Sequence, residues 1–191
     1  EHRVKLVSEL TSKGLSKYGY ISLGGDPENN IKPLILPNDI KFSPGDSAAG
    51  DRKEGIPNDI TSTGADEYWN NHLINIVTET TVTSETFISE KTWKPILGLK
   101  PFMILGDHKL YSYLKDYGID TFDDIFGTGY NEPNWNDRLD WITETLNTLK
   151  DRDYTQLYIN LLPRLIKNRD RVEEIFKINK ERYNTVLRDI K

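Results

Sequence analysis

The sequence predicts an α/β fold: a parallel sheet flanked by helices, with a helical C-terminal extension. Three observations carry this expectation. Residues 73–78 and 101–106 are apolar runs too short for helices, the second closed by glycine. Segments of helical character lie between and after them, so strand and helix alternate through the middle of the chain. From 135 to 191 the apolar positions recur at helical spacing throughout.

Taken in order, Val4, Val7 and Leu10 share a helical face, with Leu6 alongside and Gly14 as C-cap. A short strand is expected over 18–22, with Tyr18 and Tyr20 alternating across it. Residues 24–65 carry Gly, Pro, Asn, Asp and Ser throughout and read as a long irregular insertion. After the strand at 73–78, Ser89 is a candidate N-cap and Glu90 an acid in the first turn of a helix that must accommodate Pro95. The strand at 101–106 follows, then a helix over 108–117 ended by Gly118, and a small strand over 119–122. A polar turn over 127–134 leads to a helix carrying Leu139, Ile142, Leu146 and Leu149. A second helix is expected to about residue 167, perturbed by Pro163. A third carries Val172, Ile175, Phe176, Tyr183, Leu187 and Ile190. This series is too short for a coiled coil and reads as a charged cap on the sheet. The four strands together suggest a Rossmann-like parallel sheet.

Composition excludes several function classes. The 191 residues include 30 acidic and 25 basic side chains, for a formal charge of −5, with no basic stripe to track phosphates. Nucleic acid is therefore not an expected partner. With no cysteine there is neither a disulfide framework nor a thiolate metal site, and a cytoplasmic setting is expected. No apolar run approaches the ~18 residues of a membrane span, and the first residues lack the layout of a signal peptide. The chain opens at Glu1, already inside a helical pattern, and is expected to be a piece of a longer polypeptide.

The most informative stretch is 73–106. A buried strand ends in a polar tip at Glu79 and Thr80, and a second polar tip, Ser89, Glu90 and Lys91, opens a helix. In open parallel sheets ligands sit beyond the carboxyl ends of strands, where helix N-termini offer N–H groups to anions. A carboxylate there can accept two ribose hydroxyls, and a lysine suits a diphosphate. Each group also has a plainer reading: Ser89 and Glu90 as an ordinary helix start, Lys91 and Lys94 as solvated lysines, Arg3 as an exposed arginine, Trp69 and Trp93 as packing. His2, His72 and His108 lack the spacing of a zinc site, and no metal is expected. The Asp-x-Asp at Asp151 and Asp153 falls between helices rather than at a strand end. No P-loop occurs. Asp123 and Asp124 follow an expected strand, where acids can touch substrate, and read first as helix-capping acids.

These motifs resemble the donor-site signature of the family 10 α1,3-fucosyltransferases. There a strand ending Phe-Glu-Asn-Ser is followed by a variable loop, then Tyr-Val-Thr-Glu-Lys, then a strand rich in proline and valine. The matching stretches here are Val77-Thr78-Glu79-Thr80, Phe87-Ile88-Ser89-Glu90-Lys91 and Lys100-Pro101-Phe102-Met103-Ile104. Arg3 with Leu10, followed by Lys17-Tyr18-Gly19, is similar to the family's arginine-led helix and Tyr-Gly strand. The likeness spans 3–114, and Thr80 stands where the family has asparagine. The chain is also similar to glycosyltransferase-like proteins of phages and marine bacteria, in which a proline at position 95 is typical.

The resemblance implies the C-terminal half of a GT-B fold. Residues 1–134 would then form a Rossmann-like nucleotide-sugar-binding domain, and 135–191 the helical extension. It implies donor-binding roles for Arg3, Glu79, Thr80, Ser89, Glu90 and Lys91, with Glu90 on the ribose and Lys91 and Arg3 on the phosphates. The donor is then a nucleotide-diphosphate sugar of the GDP-fucose kind, and no cofactor is needed. The implied reaction is inverting, metal-independent transfer to a glycan or other hydroxyl acceptor, with the general base in an N-terminal acceptor domain outside this chain. The alternative is a non-catalytic binding or structural module that retains the fold.

Overall fold

A computed structural model describes residues 1–21, 69–83 and 85–189. The insertion expected over 24–65 lies outside the described residues. The architecture is mixed α/β and mostly helical. Helix α1 (His2–Ser12) is followed by a 3₁₀ turn (Ser16–Tyr18). Strand β1 (Asn75–Thr78), helix α2 (Glu90–Leu97) and strand β2 (Phe102–Leu105) come next. Helices α3 (Leu110–Asp116), α4 (Asp123–Phe126), α5 (Trp135–Leu149) and α6 (Tyr154–Asp189) complete the chain.

Strands β1 and β2 pair in parallel, Asn75 opposite Phe102 and Thr78 opposite Leu105, with α2 as the crossover between them. The backbone of Glu79 extends the ladder by one bond, its N–H donating to Leu105 O at 3.0 Å. All four residues of β2 are buried, as for a strand covered on both faces. Helix α5 lies against β2, and α2 against both strands. The core combines β2 and Val77 with Ile96 of α2, Leu110 and Leu114 of α3, Leu139 and Ile142 of α5, and Leu161, Leu165 and Val172 of α6. Phe102 meets Phe122 edge to face, the centroids 5.7 Å apart.

Among the described residues the sheet has these two strands, where the sequence suggests four. The Ile104 N–H, which strand alternation turns away from β1, donates instead to the buried Tyr111 hydroxyl at 2.7 Å. A side chain from α3 thus occupies a donor that a third strand would take. Burial pushes the Tyr111 phenol far above its ordinary range, so it stays a neutral hydroxyl there.

The strand expected over 18–22 is replaced by the 3₁₀ turn, a fully extended Gly19 and a single bridging residue at Ile21; Ser22 lies outside the described residues. Leu15 and Ser16 are buried while Tyr18 and Tyr20 are exposed, so the apolar anchor sits before the tyrosines rather than between them.

The strand expected over 119–122 is also absent. Asn168 of α6 accepts the Asp120 N–H at 2.8 Å and donates to the Asp120 carbonyl at 2.8 Å, taking both groups a neighbouring strand would use. Phe122 then turns left-handed, at φ 57°, to start α4.

The two tail helices expected to meet near residue 167 form one continuous helix, α6, with Pro163 inside it. Pro163 and Ile159 are both exposed, so water can take the carbonyl that loses its partner. The bounds of β1, β2 and α3 fall inside those expected. Gly118 closes α3 at φ 81°, and the Ile119 N–H reaches back to Leu114 O at 2.9 Å.

Candidate functional site at the carboxyl edge of the sheet

Glu79 leaves the end of β1 and is fully buried. Its carboxylate accepts the Ser89 N–H at 3.0 Å, the Ser89 hydroxyl at 2.6 Å and the Thr92 hydroxyl at 2.6 Å. Three donors from the first turn of α2 therefore converge on one acid, which fixes where that helix starts. Having donated to Glu79, the Ser89 hydroxyl offers its lone pairs forward. It accepts the Lys91 N–H at 3.2 Å as the N-cap and the Lys91 ammonium at 3.2 Å. Lys91 also reaches the Glu90 carboxylate at 3.1 Å. In Glu90 burial opposes ionisation, but the hydrogen bonds from Lys91 and from its own backbone N–H outweigh it. Its carboxyl lies below the usual value. The Glu90 and Lys91 side chains remain 26% and 40% exposed, so both are within reach of a ligand.

The first turn of α1 arrives at the same edge. The ring of His2 lies 2.9 Å from the Glu79 carbonyl through Nε2, a contact between residues 77 apart in sequence. Arg3 is the next residue, and it is exposed. Thr80 is exposed beside the end of β1. Of the six residues named from the sequence, Glu79, Ser89, Glu90 and Lys91 thus form one hydrogen-bonded series. Arg3 and Thr80 are exposed chain neighbours of His2 and Glu79. Glu79 differs in kind from the others, since its carboxylate is fully buried and connects to the exposed groups through Ser89.

The end of β2 adds groups the sequence reading did not assign to a ligand. Gly106 follows the strand; a Cβ there would lie 2.9 Å from Leu110 Cδ1, the end of a side chain that would have to shift, and in ordinary contact with Glu79 Cβ at 3.6 Å. Asp107 follows, 6% exposed, accepting from the Thr86 hydroxyl and the Lys109 N–H and facing His108. Burial opposes its ionisation, yet the hydrogen bonds from Lys109 and Thr86, with the charge of Arg138, hold its carboxyl below the usual range.

Arg138 is 1% exposed and donates to the carbonyls of Val82, Glu132 and Pro133, tying Val82 to the residues just before α5. Its Nε has no partner among the described residues. An Asp-His pair just past a strand-ending glycine is a signal the sequence does carry. Arg138, set beside Leu139 in an amphipathic helix, carries no such signal.

Two shallow grooves lie elsewhere. One is lined by Glu132, Asp137, Asp140, Glu144 and Trp141. The other holds Asp123 with Lys115, and Asp120 and Asp124 with Arg164. Asp123 and Asp124 are ion-paired there and make no side-chain cap on α4, where the sequence reads them as capping acids. Among the described residues no group of three or more His, Asp or Glu side chains is arranged to hold a metal ion, and no helix is long and apolar enough to cross a membrane.

Comparison with protein-family models, curated proteins and solved structures finds no match for this chain.

Proposed function

We propose that this chain is the donor-binding half of a GT-B glycosyltransferase, holding a nucleotide-diphosphate sugar at the carboxyl edge of a Rossmann-like sheet. The observation that carries the reading is the start of α2. A parallel β-α-β unit presents a capped helix N-terminus, with Glu90 and Lys91 accessible, beside the end of its first strand. This is where parallel sheets bind phosphorylated ligands, because N–H dipoles and a cation meet there. Glu90 accepts the ribose hydroxyls, and its low carboxyl pKa keeps it an acceptor across the neutral range. Lys91 and Arg3 face the diphosphate.

In an inverting transfer the acceptor hydroxyl loses its proton to a base outside this chain as its oxygen attacks the anomeric carbon. The carbon–oxygen bond to the diphosphate breaks, and Lys91, Arg3 and the N–H groups of α2 stabilise the departing anion.

The test is isothermal titration against GDP-, UDP-, ADP- and CMP-sugars. One of them should bind, Glu90→Ala should abolish the preference for the ribosyl ligand over inorganic pyrophosphate, and Lys91→Ala should weaken binding by ~1.5–3 kcal/mol, about tenfold to a hundredfold. Unchanged affinity in Lys91→Ala would show that the diphosphate does not sit at α2. Absence of binding to every member of the panel favours the non-catalytic module.

A further inference from the structure

Asp107 and His108 form a second polar arrangement on the carboxyl edge, one strand over from Glu79. The Glu79 N–H bonds to Leu105 O, so the residues following β1 and β2 leave the sheet at the same level. The Asp107 carboxylate is held from three sides. Oδ1 accepts the Thr86 hydroxyl at 2.9 Å and the Lys109 N–H at 3.0 Å, and Oδ2 faces His108 Nδ1 at 3.2 Å. Its side chain is 5% exposed, whereas that of His108 is 38% exposed. The acid is thus fixed inside the fold and the imidazole lies at the surface of the edge. With a carboxylate oxygen 3.2 Å from Nδ1, a neutral imidazole is electrostatically favoured with its proton on Nδ1 and its lone pair on Nε2, at the far side of the ring. None of the described residues is hydrogen-bonded to that atom.

We propose that His108 Nε2 accepts a hydroxyl of the sugar in the donor site, making His108 a specificity residue oriented by Asp107. The inference rests on the donor-site reading above. Two features select the sugar. Glu90 serves the ribose, and Lys91 with Arg3 the phosphates, which leaves the sugar as the remaining hydroxyl-bearing part of the ligand. The buried Asp107 carboxylate behind the ring also disfavours an anion at this position, whereas a neutral hydroxyl that donates to Nε2 is favoured through the ring. Thr86 and Lys109 keep the acid from rotating away, so the acceptor atom holds one direction.

The experiment compares a nucleotide sugar with its own nucleoside diphosphate by isothermal titration, in the wild type and in His108→Ala. Circular dichroism confirms the fold of the variant, which loses only a half-exposed side chain. The expected result is about a tenfold loss for the nucleotide sugar with the nucleoside diphosphate unchanged. A parallel long-range ¹H–¹⁵N spectrum of the wild type is expected to show the Nδ1–H tautomer at His108, and its replacement by the Nε2–H tautomer in Asp107→Asn. Equal loss for both ligands, or no loss for either, overturns the proposal while leaving the donor site standing. So does an Nε2–H tautomer in the wild type. If neither ligand binds the wild type, the donor-site reading falls and this inference falls with it.

Discussion

Glu79 shows how much a single carboxylate can organise when it is buried. Its three donors all come from Ser89 and Thr92, so the acid works as a buckle between β1 and α2. Glu79→Gln keeps the shape but places an amide donor against at least one of those donors. The expected outcome is a destabilisation of about 1–3 kcal/mol in urea denaturation, with weaker binding at the proposed nucleotide site because Ser89 no longer aims at Lys91. Stability within error of wild type would mean that the buckle does not hold the helix start.

The sequence announces Ser89, Glu90 and Lys91 through helix-start chemistry, which is local and therefore readable. It also marks Glu79 as a polar strand tip, yet burial of that tip depends on the return of α2 over it, which no local pattern encodes. His2 and Arg138 reach the site from 77 and 56 residues away from their partners, so only tertiary folding reveals them.

At the level of elements, periodicity identified the parallel strands and most of the helices, because burial and period are coupled within a segment. It failed where side chains replaced backbone partners. The 119–122 segment is apolar enough for a strand, but Asn168 takes both backbone groups of Asp120. Likewise Tyr111 takes the free N–H of β2. The helix expected to end near residue 167, perturbed at Pro163, instead continues through both positions, with Pro163 on an exposed face. Asn168 is 1% exposed. Asn168→Ala therefore leaves a backbone donor and acceptor unpaired against α6, and is expected to cost about 1–3 kcal/mol, whereas the exposed neighbour Lys167→Ala should cost less than about 0.5 kcal/mol. Equal effects in thermal or urea unfolding would show that Asn168 does not tether the segment.

For the whole molecule, the ionisable groups predict how stability follows pH, because several protonation states are built into the docking of one element on another. His2 joins α1 to the end of β1. Burial lowers its pKa below 6.5, the Glu79 carbonyl only partly opposing this. Between the folded value and 6.5 the unfolded chain binds the extra proton, so stability declines as pH falls through 6.5 and levels off below the folded value. A second window lies lower. Asp107, Asp120 and Asp123 are all held below 3.8: burial opposes ionisation in each, but is outweighed by hydrogen bonds from Lys109 and Thr86, from Arg164 and Phe122, and from Lys115, Thr121 and Tyr130 respectively. Their contribution is complete above 3.8 and is lost as pH falls through the folded values. Urea midpoints measured from pH 8 to pH 3 should therefore hold steady above neutrality, fall modestly as pH drops through 6.5, and fall again below 3.8. His2→Gln, which keeps a hydrogen-bonding group without a titration, should flatten the first decline and leave the second untouched. A midpoint that rises on acidification from pH 7 to 5 would show that His2 is better accommodated as a cation, and that α1 docks at the site by a different contact.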